Sequence, residues 1–284
     1  MVSLEKSKAS DMIPTGIQFC SQTATVKSTY EVAASPVHFF FPELRENFMV
    51  APAEGAELMK TASIQVEIND REAVTAMLYP APQGERAGVS LILGHGAGAN
   101  QLSGFMRMAA AGLAERGLDV VTFNFLYTEQ GRKVPDPKPR LEGCYRAVID
   151  AVRRHRSLKK NRLVIGGKSM GGRIASQVAA ADGEDIDGLI FLGYPLHPPG
   201  RPDKLRAEHL GNIRAPMLFV QGSRDAFGTP DEIRAATKTM KLRSAFHVVA
   251  GGDHSFKVPK SAGMPQQEVY DKVMDEVAQW ARAL

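Results

Sequence analysis

One serine in this sequence sits in a setting suited to nucleophilic attack: Gly167-Lys168-Ser169-Met170-Gly171. A serine hydroxyl attacks a carbonyl only when a base takes its proton, and the base needs an acid to fix its tautomer and balance its charge. The pattern G-x-S-x-G alone is a weak signal, since small residues crowd many turns. Here it follows the apolar run R-L-V-I and precedes I-A-S-Q-V-A-A-A, a strand-to-helix context that would raise the hydroxyl on a sharp turn. Side chains flanking such a turn would clash, and Gly167 and Gly171 remove them. The helix start would bring the Met170 N–H and the positive dipole end beside the hydroxyl. The bland alternative is a glycine-rich turn with an incidental serine.

Two later segments supply an acid and a base. Gln221-Gly222-Ser223-Arg224-Asp225 follows the strand-like run at 217–220, and Ala250-Gly251-Gly252-Asp253-His254 follows the run at 245–249. Both deliver their side chain at the carboxyl edge of a sheet, where ligand sites of open parallel sheets lie. Singly, Asp225 reads as an Asx turn and His254 as a loop residue; together with Ser169 they read as nucleophile, acid and base. Asp253 is a rival acid, but its adjacency to His254 makes the required geometry harder to reach.

Charge developing on a carbonyl oxygen needs preorganised donors, worth about 3–4 kcal/mol each. Gly94-His95-Gly96-Ala97-Gly98 can turn sharply enough to aim backbone N–H groups inward, so Ala97 N–H and Met170 N–H are the expected pair, with Gly98 as the alternate to Ala97. His95 is expected to be a structural loop residue. These glycines do not suit a dinucleotide, because the last glycine of G-x-G-x-x-G is missing and no acid follows about 20 residues later at a strand end. The seven His and two Cys show no metal-ligand spacing, so neither metal nor cofactor is expected. Cys144 is expected to be a small buried residue.

The elements needed to hold these residues are legible from position 59 onward. Strands are expected at 62–68, 73–79, 89–93, 119–123, 163–165, 189–192, 217–220 and 245–249. Helices are expected at 105–116 and 141–156, after Ser169, near 230–240 and at 266–283. The first two strands read as a hairpin turned by Asn69-Asp70, and Pro135, Pro137 and Pro139 mark a long loop. Strands alternating with helices imply a mostly parallel sheet covered on both faces, an α/β fold in one domain over 59–284. Residues 1–58, with ten Ser/Thr in the first 35 positions and no sustained period, are expected to be a poorly packed extension. They show neither a signal-peptide apolar stretch nor the Arg-rich, acid-poor composition of a transit peptide.

The stretches G-H-G-A-G, F-N-F-L-Y-T-E-Q-G-R-K-V-P-D-P-K-P-R-L, G-G-K-S-M-G-G-R-I-A-S and L-G-Y-P-L-H-P-P-G-R-P-D-K-L-R resemble the α/β-hydrolase superfamily. Within its dienelactone-hydrolase-like branch they are similar to the group of testis-expressed protein 30 and the third subunit of the NSL chromatin complex. The resemblance spans about 62–284. It implies an α/β-hydrolase fold with Ser169, Asp225 and His254 as triad. A dienelactone hydrolase proper would carry Cys where Ser169 stands, which points away from dienelactone itself. Family membership transfers the fold better than an activity.

Between the strands at 189–192 and 217–220 lie 24 residues, too few for a helical cap. An open site bordered by 124–140, 194–199 and Phe227-Gly228 is expected, acting on a small or surface-presented ester, thioester or amide. Tyr127, Glu129 and Arg132, with Lys133 beside them, follow a strand end and are the candidate substrate contacts, a solvated loop residue being the bland alternative for each, with Met170 and Leu196 as candidate apolar walls. An acyltransferase or peptidase is compatible with the same residues, and so is a non-catalytic interaction module on the same fold.

The formal charge of +4 hints at a polyanionic partner, but 153–162 alone holds six Lys/Arg and no acid. Without it the balance is 29 basic against 31 acidic residues, so the excess is one patch at a helix end rather than a nucleic-acid surface. The 284 residues contain no run of about 18 apolar positions, so no membrane partner is expected. Two Cys fit a reducing compartment, and the location expected is cytoplasmic.

Overall fold

A computed structural model describes residues 61–181 and 185–284. The extension read over 1–58 lies outside the described residues, as do 59 and 60, the first two residues of the expected domain. Strands β1 (Ala62–Asn69) and β2 (Glu72–Tyr79) pair antiparallel in the expected hairpin. Asn69 Oδ1 accepts from Arg71 N–H at 3.0 Å, an Asx turn that supplies the reversal.

The remaining strands are β3 (Val89–Gly94), β4 (Asp119–Phe123), β5 (Arg162–Lys168), β6 (Gly188–Leu192), β7 (Met217–Gly222) and β8 (Ser244–Val249). The sheet order is β1-β2-β4-β3-β5-β6-β7-β8. β2 runs antiparallel to β4, and every neighbouring pair from β4 to β8 is parallel.

Helices cover both faces. α1 (Gly104–Glu115) and α6 (Gln266–Arg282) bury Met106, Ala110, Leu113, Val273 and Val277 against Leu91, Leu93, Val164, Ile190 and Val220. α3 (Lys138–Arg154) and α4 (Met170–Ala180) bury Tyr145, Val148, Ile149 and Ile174 with Ile92, Ile165, Phe191 and Phe219 on the opposite face. Successive strand residues thus alternate between two cores, and because both are apolar the strands read as continuous hydrophobic runs. α5 (Pro230–Thr237) opens on a capping box: Thr229 Oγ1 accepts from Glu232 N–H, and Thr229 N–H donates to the Glu232 carboxylate.

Three details differ from expectation. α3 starts at Lys138, not 141, because Pro139 sits in the first turn, where its missing N–H has no intrahelical acceptor to lose. The long loop contains a one-turn helix, α2 (Leu126–Glu129). Short 3₁₀ turns occur at Glu208–Asn212 and Lys260–Ala262. The 193–216 connection carries no helix beyond the first of these turns, so it places no cap over the carboxyl edge.

Candidate active site

Ser169 stands where β5 ends and α4 begins, with φ 51° and ψ −113°. A non-glycine residue in that region costs about 1–3 kcal/mol and persists only where its surroundings hold it. Close packing of three backbones does so here. A Cβ on Gly171 would run into the Gly94 carbonyl, and so would one on Gly167, which has φ 154°. The elbow therefore rests directly on the end of β3. Tyr145 fastens the same junction from α3: its hydroxyl lies 3.0 Å from Ile92 O and 2.7 Å from Gly166 O, and accepts from Gly166 N–H at 3.0 Å.

The side chains from three strand ends meet in one hydrogen-bonded chain. His254 Nδ1 lies 2.8 Å from Asp225 Oδ2, and His254 Nε2 lies 2.8 Å from Ser169 Oγ. A carboxylate can only accept, so Nδ1 carries the hydrogen and Nε2 offers its lone pair to the Ser169 hydroxyl. Asp225 is buried, accepting also from Phe227 N–H and Gln221 Nε2, each at 2.8 Å. Gln221 is buried in turn and reaches Tyr194 N–H and Gly228 O, so it orients the acid from the strand that carries it. The Phe227 ring stacks on His254 at 4.2 Å. Asp253 is occupied otherwise: its Oδ1 accepts from Ser255 and Lys257 N–H at 2.7 and 2.9 Å, bracing the loop.

The 94–98 loop folds against the elbow. Ala99 N–H bonds Gly96 O at 3.2 Å, closing a turn whose third residue, Gly98, has φ 73°. His95 is buried beneath it: Phe125 N–H donates to Nε2 at 3.2 Å, leaving Nδ1–H for Gly96 O at 2.9 Å. Burial lowers its pKa, which keeps the ring neutral in this structural role. Met170 is the first residue of α4, so its N–H has no partner within the helix.

A cavity of about 320 Å³ opens at this edge, lined by Ser169, Ala97, Met170 and Phe227 together with Pro195, Arg173, Arg206 and the 135–141 segment. A larger hollow of about 520 Å³, between Arg116, Asp275 and Arg282, lies at the far end of α1 and α6 and holds none of these groups. Among the described residues no cluster of metal-ligating side chains occurs, and no helix is long and apolar enough to cross a membrane.

Five residues expected at the substrate site do not line the cavity. Tyr127 is buried in the core, stacked on Phe125 and edge-on to His95, because α2 turns inward directly after β4. Glu129 accepts from Thr75 Oγ1 at 2.6 Å and Asn124 Nδ2 at 2.9 Å, bracing α2 onto β2. Arg132 binds Asp136 at 2.6 Å and meets the cavity only through that carboxylate. Leu196 is fully buried under Gly228, and its neighbour Pro195 reaches the cavity instead. Lys133 is exposed away from the lining, and Tyr194 packs between Phe191 and Phe219. Cys144 is buried, with its thiol pushed up to about 12, which leaves it inert. Arg173, Arg206, Gln221 and Lys168 were not singled out by sequence reasoning; three of them lie within or beside the very motifs that mark the site.

A parallel sheet preceded by an antiparallel hairpin, with a strained serine between β5 and its helix, defines an α/β hydrolase. The profile of the alpha/beta hydrolase domain family matches residues 87–282, and the chain belongs to that family. Solved structures with a similar fold include an alpha-beta serine hydrolase homologue from Coxiella burnetii, 18% identical, covering 79% of this chain and 99% of that one with a TM-score of 0.61. An α/β serine hydrolase without lid from Xanthomonas campestris is 21% identical, covering 78% and 94% with a TM-score of 0.60. A dienelactone hydrolase from Anabaena variabilis is 19% identical, covering 78% and 96% with a TM-score of 0.61.

Proposed function

We propose that the chain is a serine hydrolase that cleaves a small or surface-presented ester, thioester or amide through an acyl-enzyme on Ser169. The observation that carries this reading is the unbroken Ser169–His254–Asp225 chain, both links 2.8 Å, on a serine held at φ 51°. Ser169 Oγ attacks the carbonyl carbon as His254 Nε2 takes its proton. The carbonyl oxygen becomes an oxyanion received by Ala97 N–H and Met170 N–H. Asp225 holds the imidazole tautomer and balances the imidazolium. Collapse breaks the bond to the leaving group, which departs with the proton from His254. Water then attacks the acyl-enzyme, giving its proton to Nε2, and the second collapse expels Ser169 Oγ, which recovers that proton.

The open edge and the short 193–216 connection support a substrate of few carbons or one displayed on a surface. The quoted sequence stretches support a place within the testis-expressed protein 30 and NSL third-subunit group, and the composition supports a cytoplasmic location. A panel of 4-nitrophenyl esters graded by acyl length tests the reading. Hydrolysis of the acetate and butyrate that is abolished by Ser169→Ala is expected; equal turnover by that variant contradicts it.

A further inference from the structure

Two arginines share the cavity with Ser169 and, among the described residues, have no ion-pair partner. Arg173 lies four residues along α4, about 6 Å of helix rise beyond the serine. Arg206 comes from the 193–216 connection, where its N–H bonds Leu196 O at 2.8 Å and its carbonyl accepts from Tyr194 Oη at 2.7 Å. Both side chains line the cavity and are partly buried. Arg173 Nε is buried without a hydrogen bond, and among the described residues neither guanidinium forms an ion pair.

The surrounding charges do not neutralise them. Asp136 lines the same cavity, with its Oδ1 bound to Arg132 at 2.6 Å and its buried Oδ2 hydrogen-bonded to neither arginine; Lys138 is bound to Glu142 at 3.4 Å. His209, whose Nε2 lies 2.7 Å from Ser176 Oγ, is kept neutral by burial and by the charges of Lys138 and Arg173, its pKa pushed down to about 4. Burial and the neighbouring Arg206 likewise lower the pKa of Arg173. Two cations held near each other and partly withdrawn from water repel until an anion sits between them, and a planar guanidinium fork matches a carboxylate.

We propose that Arg173 and Arg206 bind a carboxylate carried by the substrate, so that the ester or thioester cleaved at Ser169 is a small acidic one. This rests on the serine-hydrolase reading and adds the substrate class. The cavity of about 320 Å³ accommodates an acyl chain of a few carbons together with its charged end.

The test compares kcat/KM of the full chain for two matched pairs. In the first, 4-nitrophenyl hydrogen adipate and its methyl ester place the charge on the acyl side. In the second, 3-acetoxybenzoate and its methyl ester place it on the leaving group. A hydrogen bond to a charged group is strong enough that the acid is expected to be favoured at least about tenfold in one pair. The ratio is expected to fall to within about twofold of unity in Arg173→Met and in Arg206→Met. An unfolded fraction lowers both rates alike, so the ratio remains readable in a destabilised variant. Calorimetric binding of adipate to Ser169→Ala, with and without the arginine substitutions, reads the same pair without turnover. Ratios near one in both pairs, or ratios and adipate affinity that survive loss of the arginines, overturn the proposal and leave the Ser169 reading intact. Arginine-dependent adipate binding without Ser169-dependent cleavage supports the carboxylate site and removes the hydrolase reading instead.

Discussion

Lys168 Nζ donates to the backbone carbonyl of His254 at 2.5 Å, so the residue beside Ser169 holds in place the residue that bears the imidazole. The ammonium also lies 5.9 Å from the Phe105 ring centroid and 5.6 Å from that of Phe256, whose own φ of 61° marks a loop held under strain. Elbow and histidine loop are therefore set relative to each other by a side chain that lies outside the lining of the Ser169 cavity.

Burial pushes the Lys168 pKa from 10.5 down to about 8, against the attraction of Asp225 and Asp253. Its folded pKa lies below the unfolded one, so between pH 8 and 10.5 the unfolded chain binds more protons than the folded chain. Stability from this group rises with pH through that window, and the cost of the buried charge is fully present below it. Thermal unfolding compared between wild type and Lys168→Met is expected to show the wild type gaining on the variant, on the order of 2 kcal/mol, from pH 7.5 to 10.5. A pH-independent difference contradicts the burial argument.

Gly171→Ala reverses an ordinary rule. At an unobstructed helical position alanine is favoured over glycine by about 1 kcal/mol. Here the added Cβ meets the Gly94 carbonyl, so the substitution is expected to destabilise by about 1–3 kcal/mol in urea titrations and to lower kcat by displacing Ser169. Added stability with full kcat is the contrary result.

Tyr145→Phe removes the hydroxyl that accepts from Gly166 N–H and reaches two carbonyls, on β3 and β5. A buried donor left unpaired costs about 1–3 kcal/mol, and urea titration is expected to read a loss in that range. An unchanged midpoint sinks this role for Tyr145.

Asp225→Asn leaves Gln221 Nε2 and Phe227 N–H facing an amide and lets His254 take the wrong tautomer. A fall in kcat on the order of 10⁴ with little change in KM is expected, read by steady-state kinetics. Activity within tenfold of wild type assigns the acid elsewhere, with Asp253 the nearest rival.

Most of the framework was legible because of how parallel sheets are buried. β3, β5, β6 and β7 read as short apolar runs, and Ser169, Asp225 and His254 each follow such a run, so chain order and edge position were already visible. The substrate wall was not legible. Tyr127 and Glu129 stand after a strand end, as site residues do, but their placement depends on α2, a single turn too short to show a period. Phe125, stacked on Tyr127, and Thr75, hydrogen-bonded to Glu129, decided it. Arg206 lies in irregular chain, and only the fold brings it beside Arg173.

The central claim is that Ser169 is the residue acylated. Labelling of the folded full chain with a fluorophosphonate, followed by mass spectrometry of the peptides, tests it most directly. The account expects one adduct per chain, on Ser169, lost in Ser169→Ala and strongly slowed in His254→Ala. No adduct on folded protein, or an adduct on another residue that persists in Ser169→Ala, would contradict it.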